Sequence, residues 1–202
     1  MKTSDGEPIR SGVSLRRIRE LFESHAPRRV EQDGIARAGV AVVLRELGDD
    51  SELLLIRRAE RDGDPWSGHV ALPGGRQQPL DPDIVATALR ETREEVGLDL
   101  ERDARVLGAL DDLAAVVHDR PAGLIISPVV CELTRPGELV LDRREVEAAV
   151  WVPLRELRCP DARATYRRAL PQLEADFPAL RYGELTIWGL TYHILDDFFG
   201  LL

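Results

Sequence analysis

The chain has 202 residues, 44% hydrophobic and 31% charged, which excludes global disorder and leaves room for one domain with a sizeable core. Lys and Arg number 27 against 36 Asp and Glu, a net charge of −9, which repels nucleic-acid phosphates and argues against nucleic acid as a partner. It still admits a small anion where a metal ion supplies local positive charge. The two cysteines, Cys131 and Cys159, make neither a disulfide framework nor a Cys-x-x-Cys pair, no apolar run is long enough to span a membrane, and the opening MKTSDGEPIRSG lacks the apolar stretch of a signal peptide. A cytoplasmic protein, monomer or homodimer, without membrane attachment is the expectation.

Residues 1–12 are polar and read as frayed. From Ser14 the spacing of Leu15, Ile18, Leu21 and Phe22 predicts an amphipathic helix ending near Pro27. Residues 37–46 and 52–57 are apolar and, with the turn signal Gly48-Asp49-Asp50 between them, predict a β-hairpin. RAERDGDPWSG reads as a loop, 69–72 as a short strand and 76–82 as a second loop. Asp83 to Val96 predicts a helix, with Asp81 or Asp83 as N-cap and Gly97 as its stop. Strands are expected at 105–111, 123–133 and 147–152, and a short helix at 153–157. Residues 158–183 are mixed, and Ile187 to Leu202 reads as a C-terminal helix. No repeat or linker appears, and the interspersed elements predict an α/β or α+β fold: an N-terminal extension with a helix over 1–35 and one domain over 36–202.

The segment HVALPGGRQQPLDPDIVATALRETREEVGL, residues 69–98, carries the chemistry. Positions three and four apart share a helix face, so Glu91, Glu94 and Glu95 project together, while Val85, Leu89, Thr92 and Val96 face the core. Like charges so spaced repel unless they stay solvated or cations sit among them. Mg²⁺ prefers carboxylate oxygens and is commonly shared with substrate phosphates. Gly74-Gly75 can bring bare backbone close to such ions. Taken alone, Arg90 to Glu95 also describes a solvent-exposed helix of mixed charge.

The whole segment resembles the box of the Nudix hydrolases, G-x5-E-x7-R-E-U-x-E-E-x-G-U, where U is aliphatic. Arg90-Glu91, Glu94-Glu95, Gly97 and Leu98 match its second half. Gly75 stands for the opening glycine with one extra loop residue before Arg90, the loop glutamate is replaced by a stretch with Leu80, Asp81, Pro82 and Asp83, and Thr92 replaces the aliphatic residue. Leu72-Pro73-Gly74-Gly75, the Asp/Pro loop and Thr87 to Glu91, with Glu145-Val146-Glu147, Trp151 to Leu154 and Trp188 to Thr191, resemble the coenzyme A diphosphatase branch. That branch's upstream signature is degenerate in Leu53 to Ala59, with Leu55 and Arg58 at altered positions.

The resemblance implies an α-β-α sandwich with a mixed β-sheet, and a Mg²⁺-dependent (Mn²⁺ in its place) pyrophosphohydrolase acting on a small-molecule diphosphate. Coenzyme A or its esters is the first reading. The alternatives are nucleoside triphosphates, nucleotide sugars or dinucleoside polyphosphates, or a non-catalytic nucleotide-binding module. It implies metal ligation by Glu91, Glu94, Glu95 and the Gly74 carbonyl, and an orienting role for Arg90. Glu94 and Glu145 are the candidate catalytic residues, Glu145 as an extra ligand or base, with Glu147 its competitor. Arg57, Arg58 and Arg76 flank the loop and can bind phosphate bidentately, or be plain surface arginines. His69 is a substrate contact or a structural histidine, Trp66 a stacking or packing residue, and His25, His118 and His193 are left unassigned.

Overall fold

The computed structural model describes residues 12–32, 34–61, 66–117, 120–170 and 173–202. The expectations placed on residues 1–11, on the middle of the 59–68 loop and on His118 lie outside the described residues. The predicted hairpin forms as β1 (Ala36–Leu47) and β2 (Asp50–Arg58), with Leu44 opposite Leu53. Then come β3 (Val70–Ala71), β4 (Gly74–Arg76), helix α2 (Ile84–Val96) after the N-terminal α1 (Leu15–Phe22), the one-turn α3 (Leu100–Asp103), β5 (Ala104–Ala109), β6 (Leu113–Val117) and β7 (Arg120–Leu133). The chain closes with β8 (Val146–Pro153), α4 (Leu154–Arg158), β9 (Arg163–Leu170), β10 (Leu173–Tyr182), β11 (Leu185–Trp188) and α5 (Gly189–Leu201).

The main sheet runs β3-β2-β1-β7-β5, with β4 beside β1, β6 beside β7 and β8 beside β2; β1 and β7 are parallel and the other pairs antiparallel. β1 and β2 read as unbroken apolar runs because both faces of the sheet are covered. Ala38, Val42, Leu53 and Leu55 face one core with α1 (Leu15, Ile18, Phe22) and α5 (Ile194, Leu195, Phe198). Ala41, Val43, Leu54 and Ile56 face the other, where α2 contributes Ala88, Leu89 and Val96. The result is the α-β-α sandwich with a mixed sheet that the sequence led us to expect. Among the described residues no helix is long and apolar enough to cross a membrane.

Several stretches differ from the sequence reading: α1 ends at Phe22 rather than near Pro27, and α3 and β6 form where no element was expected. Gly74 and Gly75, given no element, and Arg76, taken as the start of the 76–82 loop, pair with β1. The mixed stretch 158–183 holds the hairpin β9–β10, whose outward side carries Arg163, Thr165 and Arg167 and gives no apolar alternation. Its second strand contains Pro178, which interrupts strand patterns and here has only β9 beside it, because β11 begins to pair at Ala179. The C-terminal helix starts at Gly189, not Ile187: Ile187 and Trp188 are sheet residues opposite Leu180 and Ala179.

The N-terminal helix is part of the main core. Ile18 is fully buried in the cluster that holds Leu195 and Phe198, so Ile18→Ala should cost about 2–5 kcal/mol in urea denaturation. A loss below about 0.5 kcal/mol would mean that α1 does not share that core.

Candidate active site

Helix α2 is set at both ends. Asp83 is its N-cap, accepting from the Ala86 N–H at 2.8 Å, and Gly97 ends it in the left-handed region at φ 75°. The last carbonyls of a helix need outside donors, and the loop before β8 supplies them: Val140 N–H donates to the Val96 carbonyl (2.9 Å) and Asp142 N–H to that of Glu95 (3.0 Å). This docking carries the chain to Glu145, whose own N–H donates to the Asp142 carbonyl at 2.9 Å.

On the other side, β4 lies against α2. A side chain at Gly74 would strike the Gly39 carbonyl and Val40, and at Gly75 a Cβ would stand 2.6 Å from the Glu91 carboxylate. Only glycine lets backbone and carboxylates approach so closely. Gly74 N–H donates to Glu95 Oε2 at 2.9 Å. Glu95 is 3% exposed, and its pKa is pushed up to about 8, first by burial, then by the like charges of Glu91 and Glu145; the Gly74 hydrogen bond and Arg58 oppose this. Glu91 is also raised by burial, against the pull of Arg90 and with repulsion from Glu94 and Glu145. Burial and like charge both disfavour an ionised carboxylate.

Arg90 organises the outer part. Its Nη1 meets Glu91 Oε1 at 2.8 Å and Glu94 Oε2 at 3.0 Å. Its Nε and Nη2 donate to the two oxygens of Asp81 at 2.8 and 2.9 Å, and Nη2 also reaches the Arg76 carbonyl at 3.3 Å. Asp81 additionally accepts from the Gln78 N–H (2.8 Å) and Thr87 Oγ1 (3.0 Å). These bonds, that from Arg90 foremost, hold Asp81 below the usual carboxylate range.

Glu91, Glu95 and Glu145 are therefore near enough to repel one another, with Arg58 facing Glu95. Glu145 is exposed and paired to Arg61 at 3.2 Å. The remaining expectations are redistributed. Arg57 does not join Arg58: successive strand residues point to opposite faces, and Arg57 sits on the α1/α5 side, 3.4 Å from Glu147 and lining a cavity of about 290 Å³ with Val70, Val150 and Tyr182. Glu147 does not open β8 in regular register. It is the extra residue of a bulge between the pairs Arg57–Ala148 and Arg58–Val146, and bulges re-aim side chains. His69 packs edge-on against Trp188 at 4.8 Å, beside the cluster that Trp188 forms with Tyr166 and Phe177, so its ring lies against the sheet β9-β10-β11. The Arg76 side chain is exposed.

Among the described residues no three His, Cys, Asp or Glu side chains converge tightly enough to grip an ion as they stand, because Glu91 and Glu94 both turn to Arg90. The donors nonetheless fit a hard divalent cation: all are carboxylate oxygens, two packed against bare glycine backbone. Sequence reasoning offered Asp81 as a helix cap and as one of the residues in the stretch that replaces the box's loop glutamate. Its contact with Arg90 depends on the path of the 76–82 loop, which no periodicity reports.

The site is a strand–loop–helix whose carboxylates lie against a mixed sheet. The NUDIX domain family matches residues 36–173, and the chain belongs to that family, whose members generally use a divalent metal. It is 34% identical over 141 residues to a peroxisomal coenzyme A diphosphatase of Caenorhabditis elegans, covering 69% of this chain and 56% of that one. It is 32% identical over 170 residues to a mitochondrial coenzyme A diphosphatase of Homo sapiens, covering 83% and 70%. An uncharacterised protein of Schizosaccharomyces pombe is 36% identical over 160 residues, 70% of this chain and 49% of its own. The chain thus spans about half the length of two of these relatives. Among solved structures, a MutT/nudix family protein from Enterococcus faecalis has the same fold, with TM-score 0.53 at 18% identity over 93% of this chain and 69% of that one.

The state of Glu95 gives a pH signature. Its folded pKa, about 8, lies above the ordinary 4.5, so the folded form holds the proton more tightly. The stability this contributes is fully present below about pH 4.5 and is lost as pH rises towards 8. With a chelator present, denaturation midpoints should fall over that window, and Glu95→Gln, which mimics the protonated form, should flatten the fall. An equal slope in both proteins would contradict the assignment.

Proposed function

We propose that the chain is a Mg²⁺-dependent hydrolase, with Mn²⁺ as a substitute, that cleaves the diphosphate of a nucleoside diphosphate derivative, with coenzyme A or its esters as the substrate class. The observation that carries the reading is the packing of Glu91 and Glu95 against Gly75 and Gly74, with Glu145 close enough to raise the pKa of both. Such mutual repulsion is relieved by a cation. The substrate class is favoured by the two relatives named coenzyme A diphosphatases. The net charge of −9 favours a small molecule over nucleic acid, and a cytoplasmic location is kept as part of this reading.

Glu91, Glu94, Glu95 and the Gly74 carbonyl would hold the ion, with Glu94, which is more than half exposed, turning from Arg90 towards it. A divalent ion in such a site neutralises a diphosphate and acidifies the attacking water. Glu145 accepts the proton of that water. The water oxygen bonds to phosphorus, the bridging P–O bond breaks, and two phosphorylated products leave. Arg58, facing Glu95, and exposed Arg76 supply phosphate contacts.

A hydrolysis screen with Mg²⁺ over coenzyme A and its esters, nucleotide sugars, dinucleoside polyphosphates and nucleoside triphosphates tests this. Coenzyme A compounds should give the highest kcat/KM, and cleavage of none of them, with Mg²⁺ or Mn²⁺, would leave a non-catalytic binding module. Glu94→Gln should lower kcat by at least ~100-fold with the fold intact. Glu145→Gln should lower kcat more than KM and Glu147→Gln should be milder; steady-state kinetics showing the reverse order would move the base to Glu147.

A further inference from the structure

We propose that Arg61 is a positioning residue for Glu145: its guanidinium fastens both the backbone before Glu145 and the Glu145 carboxylate, and so holds that carboxylate where it can take a proton from the attacking water. This rests on the reading of Glu145 as the base. The need for such a residue follows from where Glu145 stands. It lies on the loop between the cap of α2 and β8, and its side chain is 48% exposed. A glutamate side chain left free there would spread over several rotamers, whereas a base must stay within hydrogen-bond reach of the water it serves.

The surroundings of Glu145 remove that freedom in steps. Its N–H donates to the Asp142 carbonyl at 2.9 Å, and its carbonyl accepts from the Ala59 N–H, just past β2, at 2.8 Å. Two residues further along that loop, Arg61 donates through both Nε and Nη2 to the Arg144 carbonyl, at 3.0 and 2.7 Å. Its Nη2 also donates to Glu145 Oε1 at 3.2 Å. A guanidinium is a rigid plane, so seating one edge on the carbonyl fixes the direction from which Nη2 meets the carboxylate. Arg61 is itself held at its backbone: Ser67 Oγ accepts from its N–H at 2.8 Å and donates to its carbonyl at 2.9 Å. Because Arg61 engages Oε1, Oε2 is the oxygen that can accept a proton. Both partners of the ion pair are half-exposed, so the pair adds little to stability and its effect falls on geometry.

The test is steady-state kinetics with Mg²⁺ on the compound of the screen above that the wild type cleaves fastest, coenzyme A on this account, with denaturation curves alongside. A general base contributes about 10²–10⁴-fold, and misplacing it forfeits part of that. Arg61→Ala should therefore lower kcat by ~10-fold or more, with KM within ~2-fold of the wild type and the denaturation midpoint unchanged. In a Glu145→Gln background the same change should alter kcat by less than ~2-fold, since no base is left to place. A direct phosphate contact by Arg61 would raise KM instead, and a structural role for the loop as a whole would lower kcat equally in both backgrounds. Either result, or an unchanged kcat in Arg61→Ala, would overturn the proposal. A Glu145→Gln protein with wild-type kcat, or a wild type that cleaves nothing in the screen, would instead overturn the reading of Glu145 on which it rests.

Discussion

The site depends on the burial of one carboxylate. Glu95 is 3% exposed and accepts a hydrogen bond from Gly74 N–H. A lone ionised carboxylate is costly in such a place, so the group is held protonated or must find positive charge. β4 begins with two glycines that leave room for this: a Cβ on Gly74 would strike β1, and one on Gly75 would stand 2.6 Å from the Glu91 carboxylate. The sheet thus brings backbone to α2 and forces two carboxylates into a confined space.

The rest of the neighbourhood divides the charge around that space. On one flank the loop before β8 caps the end of α2 and delivers Glu145. On the other, the 76–82 loop delivers Asp81 to Arg90. Arg58 stands towards Glu95 from β2. The opposite face of the sheet has a separate population, Arg57 with Glu147 and His69 with Trp188. Two groups adjacent in sequence, Arg57 and Arg58, therefore serve different sides of the molecule.

Much of this was legible in the sequence where the physics is local. The apolar runs of β1 and β2, the cap at Asp83, the stop at Gly97 and the shared face of Glu91, Glu94 and Glu95 follow from periodicity and side-chain type. What escaped was set by distant pairing. The hairpin β9–β10 carries arginines outward and Pro178 within, so its strands leave no alternating signal. The bulge at Glu147 depends on the register with β2. Arg57 was grouped with Arg58 by adjacency in the chain, which the pleat of a strand reverses. Asp81 reads as a cap or as part of the stretch replacing the loop glutamate, and its pairing with Arg90 follows from the loop's path.

The most direct measurement is a crystal structure of the protein soaked in Mn²⁺, with the ion located by its anomalous scattering. The account predicts a peak bounded by Glu91, Glu95 and the Gly74 carbonyl, with Glu94 turned away from Arg90 to join them. A protein that diffracts well in Mn²⁺ yet shows no peak there, with Glu91 and Glu94 still held by Arg90, would contradict it.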